Sequence, residues 1–157
     1  MKPLSLLITL LLLVSFFRID PTAADTLPIH DAKTLRDAIT RAQPGDILSL
    51  ATGNYGNGIL ISKLNGSKDK PIIISAADPK NPPLFEGGKE AIHLSSCNYV
   101  TLRHLKVSAC QANGINADDG GHLQTPSVGL VFENITIQDI GPKGNKTSNQ
   151  TPEQIRN

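Results

Sequence analysis

Val100-Thr101-Leu102-Arg103-His104-Leu105-Lys106-Val107 returns thirty residues later as Leu130-Val131-Phe132-Glu133-Asn134-Ile135-Thr136-Ile137. The apolar positions coincide throughout: Val100 with Leu130, Leu102 with Phe132, Leu105 with Ile135, Val107 with Ile137. Pro71-Ile72-Ile73-Ile74 is a looser third copy about 28 residues before the first. Self-similarity on this scale marks a stack of equivalent units, each burying its apolar face against the next. The units contain only strand-length runs and turns, which excludes helical repeats. The Leu-x-x-Leu-x-Leu spacing of leucine-rich repeats is absent.

Alternation along Val100-Thr101-Leu102-Arg103 sends Val100 and Leu102 inward and Thr101 and Arg103 outward. If one coil is thirty residues, Arg103 sits beside Glu133 and Lys106 beside Thr136, about 4.8 Å along the stack. The Arg103–Glu133 pair then reads as a surface ladder contact. The fold class expected is all-β: a right-handed parallel β-helix, closed at its start by a short helix.

The rest of the chain agrees with that reading. Leu35, Ala38, Ile39 and Ala42 form one apolar stripe at helical spacing, predicting a capping helix over about residues 33–43. Asp31 or Thr34 supplies its N-cap, and Pro44-Gly45-Asp46 stops it. Short apolar runs follow between Gly, Asn, Asp and Pro: Ile47–Leu50, Gly58–Ile61, Pro71–Ile74, Ala91–Leu94, Tyr99–Val107, Gly114–Asn116 and Val128–Ile140. Each suits strands rather than a helix. Asn98 and Asn134 are expected in turn ladders, and His93 and His104 as solvent-facing or hydrogen-bonded strand or turn residues.

The first 24 residues read as a signal peptide. Lys2 is the positive start, Leu4 to Phe17 the apolar core, and Thr22-Ala23-Ala24 offers cleavage before Asp25. The alternative is an uncleaved anchor, but the core is short of the ~20 residues a membrane span needs. The expectation is a secreted or periplasmic protein, with no membrane association after cleavage. A net charge of +1 without basic blocks gives no nucleic-acid footprint. Export permits a disulfide between Cys97 and Cys110; two buried free thiols are the alternative.

Leu35-Arg36-Asp37-Ala38-Ile39, Pro44-Gly45-Asp46-Ile47-Leu48-Ser49-Leu50 and Gly53-Asn54-Tyr55 resemble the capping helix and first strand of pectate-lyase-like β-helix proteins. Asn65-Gly66-Ser67 and Lys70-Pro71-Ile72-Ile73-Ile74-Ser75-Ala76 resemble the opening of the alginate lyase and chondroitinase B group. The likeness covers roughly residues 31–141. It implies a fold shared by lyases, hydrolases, epimerases and proteins of no known activity, so the site must be argued separately. For an active member it implies β-elimination on an acidic, uronate-containing polysaccharide: a base removes the proton beside a carboxylate that Ca²⁺ or Arg neutralises.

No residue matches that apparatus one for one. The nearest stretch is Asn113 to His122, where Asp118 and Asp119 in a Gly-rich loop are candidate Ca²⁺ ligands. Asp-Asp-Gly-Gly is equally ordinary turn chemistry. His122, Arg103 and Lys106 are the candidate catalytic side chains. The chain has no Trp to serve as a sugar platform.

The domain reading is residues 25–141 as the N-terminal portion of a β-helix of four or five coils, followed by a polar, disordered tail over 142–157. The leading functional expectation is a truncated, non-catalytic portion of a secreted polysaccharide-lyase relative. The alternatives are a complete small carbohydrate-binding module and a Ca²⁺-dependent lyase. An uncapped last coil predicts self-association through that end.

Overall fold

A computed structural model describes residues 26–121 and 126–142. The elements are β1 (Thr26–Ile29), α1 (Ala32–Ile39), β2 (Ile47–Leu50), β3 (Ile59–Ser62), β4 (Ile72–Ala76) and β5 (Leu84–Glu86). They continue with β6 (Glu90–Ser95), β7 (Val100–Arg103), β8 (Lys106–Ser108), β9 (Asn113–Asp118), β10 (Val131–Glu133) and β11 (Thr136–Gln138). The strands form three parallel sheets: β1-β2-β4-β7-β10, β5-β8-β11 and β3-β6-β9. The chain visits the three faces in turn, which makes a right-handed parallel β-helix with a helical cap.

The stack is held by like residues in register. Leu27, Leu48, Ile74, Leu102 and Phe132 follow one another across the first sheet. Phe85, Val107 and Ile137 do the same in the second, and Ile59, Ile92 and Ile115 in the third. The thirty-residue shift is one coil: Leu102 pairs with Phe132, Arg103 with Glu133 and Lys106 with Thr136. The earlier copy is offset by 28, with Ile72 on Val100. Tyr55 stacks on Phe85 at 5.3 Å, and its hydroxyl donates to the Ile29 carbonyl at 2.9 Å.

The helix begins where Asp31 caps it. The Asp31 carboxylate accepts from the Thr34 amide at 2.7 Å, while the Thr34 hydroxyl accepts from the Asp31 amide at 3.3 Å. This reciprocal pair satisfies two amides that the first turn cannot bond internally. Leu35, Ala38 and Ile39 are buried against the first coil, as the stripe required. The regular helix ends at Ile39, four residues short of the expected 43. Thr40 is its C-cap, and the Thr40 hydroxyl and Arg41 guanidinium both donate to the Asp37 carbonyl.

Among the described residues there are three coils and the first two strands of a fourth, against the four or five expected. One coil uses up to three strand runs, one per face, so counting runs overstates coils. Asn98 stands in a turn ladder as expected, with Asn65, which was not anticipated, as its partner: Asn98 Nδ2 donates to Asn65 Oδ1 at 2.8 Å, and Asn98 Oδ1 accepts from the Val128 amide at 3.1 Å. His104 and Asn134 occupy the same left-handed corner one coil apart, with φ of 53° and 52°.

At the last coil the stacks open. Phe132 is 46% exposed and Ile137 51%, although the residues beneath them are fully covered. With Ile115, Ala117 and Ile135 they line an apolar recess of about 280 Å³. No described helix is long and apolar enough to cross a membrane. The signal-peptide segment and the tail beyond residue 142 lie outside the described residues.

Candidate functional site

A set of polar side chains on the outer surface joins β6 and β9. In this parallel pair Glu90 stands beside Asn113, His93 beside Asn116, and Ser95 beside Asp118. Ala91 and Ile92 are both buried, which breaks strict alternation. The break brings Glu90 onto the outer face with His93 although they are three residues apart.

His93 Nε2 lies 2.6 Å from Asp118 Oδ2, and its Nδ1 lies 3.4 Å from Glu90 Oε2. Asn116 Nδ2 is 3.5 Å from the same Nε2, and Asn113 Nδ2 donates to Glu90 Oε1 at 3.1 Å. The imidazole is thus held between carboxylates of two successive coils, half-exposed. The Asp118 carboxyl is held below the ordinary carboxylate value, first by the Gly120 amide it accepts from, then by His93 and Ser95. Hydrogen bonds to the ionised form stabilise it.

The loop after β9 has the turn chemistry expected of its sequence. Asp118 Oδ1 accepts from the Gly120 amide at 2.8 Å, and Asp119 Oδ1 from the Gly121 amide at 2.9 Å. Gly120 is at φ +69°, and a Cβ there would come within 2.5 Å of the Ser96 hydroxyl, so a larger residue would be strained and would displace Ser96. The Ser127 hydroxyl donates to the Asp118 carbonyl at 2.7 Å and ties the loop to the next coil. Among the described residues no three His, Cys, Asp or Glu side chains converge as a metal site. His122 lies outside the described residues.

The remaining candidates do not join this cluster. Arg103 belongs to the first sheet, Lys106 to the second and Asp118 to the third. A lyase centre combining Asp118 and Asp119 with Arg103 or Lys106 is therefore not assembled, because the three faces look in different directions. Arg103 Nε instead donates to Glu133 Oε2 at 2.5 Å. Cys97 and Cys110 are both buried free thiols rather than a bridge. The Cys97 thiol donates to the Ile61 carbonyl at 3.2 Å and the Cys110 thiol to the Ser108 carbonyl at 3.4 Å; burial pushes both thiols up.

The sequence reading missed the His93 cluster. A Glu and a His three apart was the only local signal. The partner strand is 23 residues away on this face, so the thirty-residue period did not point to it.

Comparison with known proteins gives three findings. The family model described as Chondroitinase B matches residues 29–115, more than half of the chain. The crystal structure of an alginate lyase from Paenibacillus sp. str. FPU-7 superposes with a TM-score of 0.62 at 24% identity, covering 74% of this chain and 37% of that one. The PL6 family alginate lyase AlyGC superposes with a TM-score of 0.57 at 17% identity, covering 72% and 15%. The chain thus spans little more than a third of the first structure and less of the second. At such identities these likenesses concern the fold alone. No curated protein matches the sequence.

Proposed function

The chain belongs to the chondroitinase B family, and on that premise we propose that it forms the exported, non-catalytic opening coils of a polysaccharide-lyase-type β-helix. One observation carries this reading. Two of the charged side chains that a β-elimination would use are tied to neighbouring coils, Arg103 to Glu133 and Asp118 to His93, and Lys106 lies on a different sheet from either. A base must have a free nitrogen or oxygen aimed at the substrate proton, and a neutralising cation must be free to meet the uronate carboxylate. Both nitrogens of His93 face carboxylates, and the Arg103 guanidinium is engaged by its own ladder partner. These contacts knit adjacent coils together, which is a scaffold's work.

Export rests on Lys2 to Ala24. The solved structures that the chain resembles are alginate lyases, so acidic polysaccharides are the substrates to try. The test is unsaturated uronate release, followed by absorbance near 235 nm, from alginate, pectate and chondroitin with and without Ca²⁺. The expected result is no rise on any of them. A rise abolished by His93→Gln would overturn the reading in favour of a lyase centred on this face. A complete carbohydrate-binding module is the second reading, favoured by the groove beside the capping helix.

A further inference from the structure

We propose that the groove between α1 and the outer face of β3 is an anchoring subsite for a carboxylated saccharide chain. It is an open recess of about 450 Å³, within the range of roughly 300–1,000 Å³ usual for small-ligand sites. Arg36 and Gln43 come from the helix side, and Leu60, Ser62 and Lys63 from β3 and its corner.

Charge is the first reason. Two cations, Arg36 and Lys63, enter the groove, and no carboxylate lines it. Neither makes an ion pair among the described residues, where Lys33 and Arg103 both do. Arg36 Nη1 and Nη2 make only long bonds to the Ala32 and Asn57 carbonyls, at 3.3 and 3.4 Å. Those bonds orient the guanidinium and leave other donors of its five free for a carboxylate. Lys63 starts from a fixed point: its φ is 55°, and its amide donates to the Ser95 carbonyl at 2.9 Å.

The floor is the second reason. Ile59 and Ile61 are buried, so Leu60 must point outward, and at 55% it is the most exposed large apolar side chain among the described residues. An aliphatic surface between cations and hydroxyl-bonding groups such as Gln43 and Ser62 matches a sugar ring, which has an apolar face and a polar rim. A compact anion such as phosphate would have no use for Leu60.

The neighbouring coils set the direction. Further along the same sheet Glu90 and Asp118 carry negative charge on the outer face. A polyanion would be repelled there, so the bound chain runs along the helix rather than down the solenoid axis.

This inference goes beyond the scaffold reading and is measured separately from it: binding is read by titration, turnover by absorbance, and either can fail alone. The full chain is titrated calorimetrically with tetragalacturonate, with the neutral galactose tetrasaccharide of the same linkage, and with inorganic phosphate. The uronate is expected to bind, the neutral sugar at least about tenfold more weakly, and phosphate not to compete. Arg36→Gln and Lys63→Asn should each weaken uronate binding about tenfold, the worth of one charge-assisted contact. Asn suits the left-handed position of Lys63. Leu60→Gln should weaken binding with the melting temperature unchanged, and it decides the matter if an Arg36 or Lys63 variant fails to fold. No binding of the uronate, equal binding of the neutral sugar, competition by phosphate, or unaltered binding by folded Leu60→Gln would each overturn the proposal.

Discussion

His93 and Asp118 lie 25 residues apart in sequence and 2.6 Å apart in space, joining the outer surfaces of consecutive coils. The Asp118 carboxyl titrates below its ordinary value, chiefly through the Gly120 amide and then through His93. A carboxyl whose folded pKa is depressed adds stability above its unfolded pKa and loses it as pH falls through the folded value. Asp118→Asn should therefore lower the melting temperature at neutral pH. The difference should shrink steadily as the pH is taken below about 4, where the unfolded-state carboxyl protonates. Melting curves of both proteins from pH 7 to pH 2.5 check this; a difference that grew on acidification would contradict the assignment.

Arg103 and Glu133 make the corresponding link on the first sheet, one full coil apart. Both side chains are more than a third exposed, so water screens them and the pair is worth little. A double-mutant cycle with Arg103→Gln and Glu133→Gln should give a coupling of about 0.2–1 kcal/mol, falling in high salt. A coupling several times larger would mean that this pair is effectively buried.

The step from β7 and β8 to β10 and β11 was legible in the sequence because both strands shift by the same thirty residues. The thirty-residue shift gave Leu102 over Phe132, Arg103 beside Glu133 and Lys106 beside Thr136. The third sheet was not, because neither of its offsets is thirty: Ile59 to Ile92 is 33 residues and Ile92 to Ile115 is 23. A period search cannot align strands whose corners differ by ten residues, so the Glu90–His93–Asp118 cluster stayed hidden. β5 was missed because Leu84-Phe85-Glu86 is three residues long between Pro83 and Gly87. β1 contains Pro28, which argues against a central strand, and it does lie at the sheet edge.

Cys97 and Cys110 supply a direct check on the interior. Both thiols are fully covered, and burial raises them above their ordinary value, so they stay protonated at neutral pH. Thiolate is the reactive species. A disulfide exchange reagent should therefore modify neither thiol quickly in the native protein and both at once in denaturant, and reductant should leave the melting temperature unchanged. Zero thiols titrating in denaturant would show a bridge instead.

Leu102 and Phe132 occupy neighbouring positions of one stack, and among the described residues only Leu102 has a strand residue above it. Leu102→Ala removes a fully buried side chain and should cost about 2–5 kcal/mol in denaturant unfolding. Phe132 is nearly half exposed, so Phe132→Ser should cost far less in the isolated chain. Among the described residues no strand pairs with the outer edges of β10 and β11, and with the exposure of Phe132 and Ile137 this predicts that the end recruits a second chain. Sedimentation of the wild type should show association that increases with concentration, and Phe132→Ser should reduce it. A wild type that remains monomeric as concentration rises would mean that this end does not recruit a second copy.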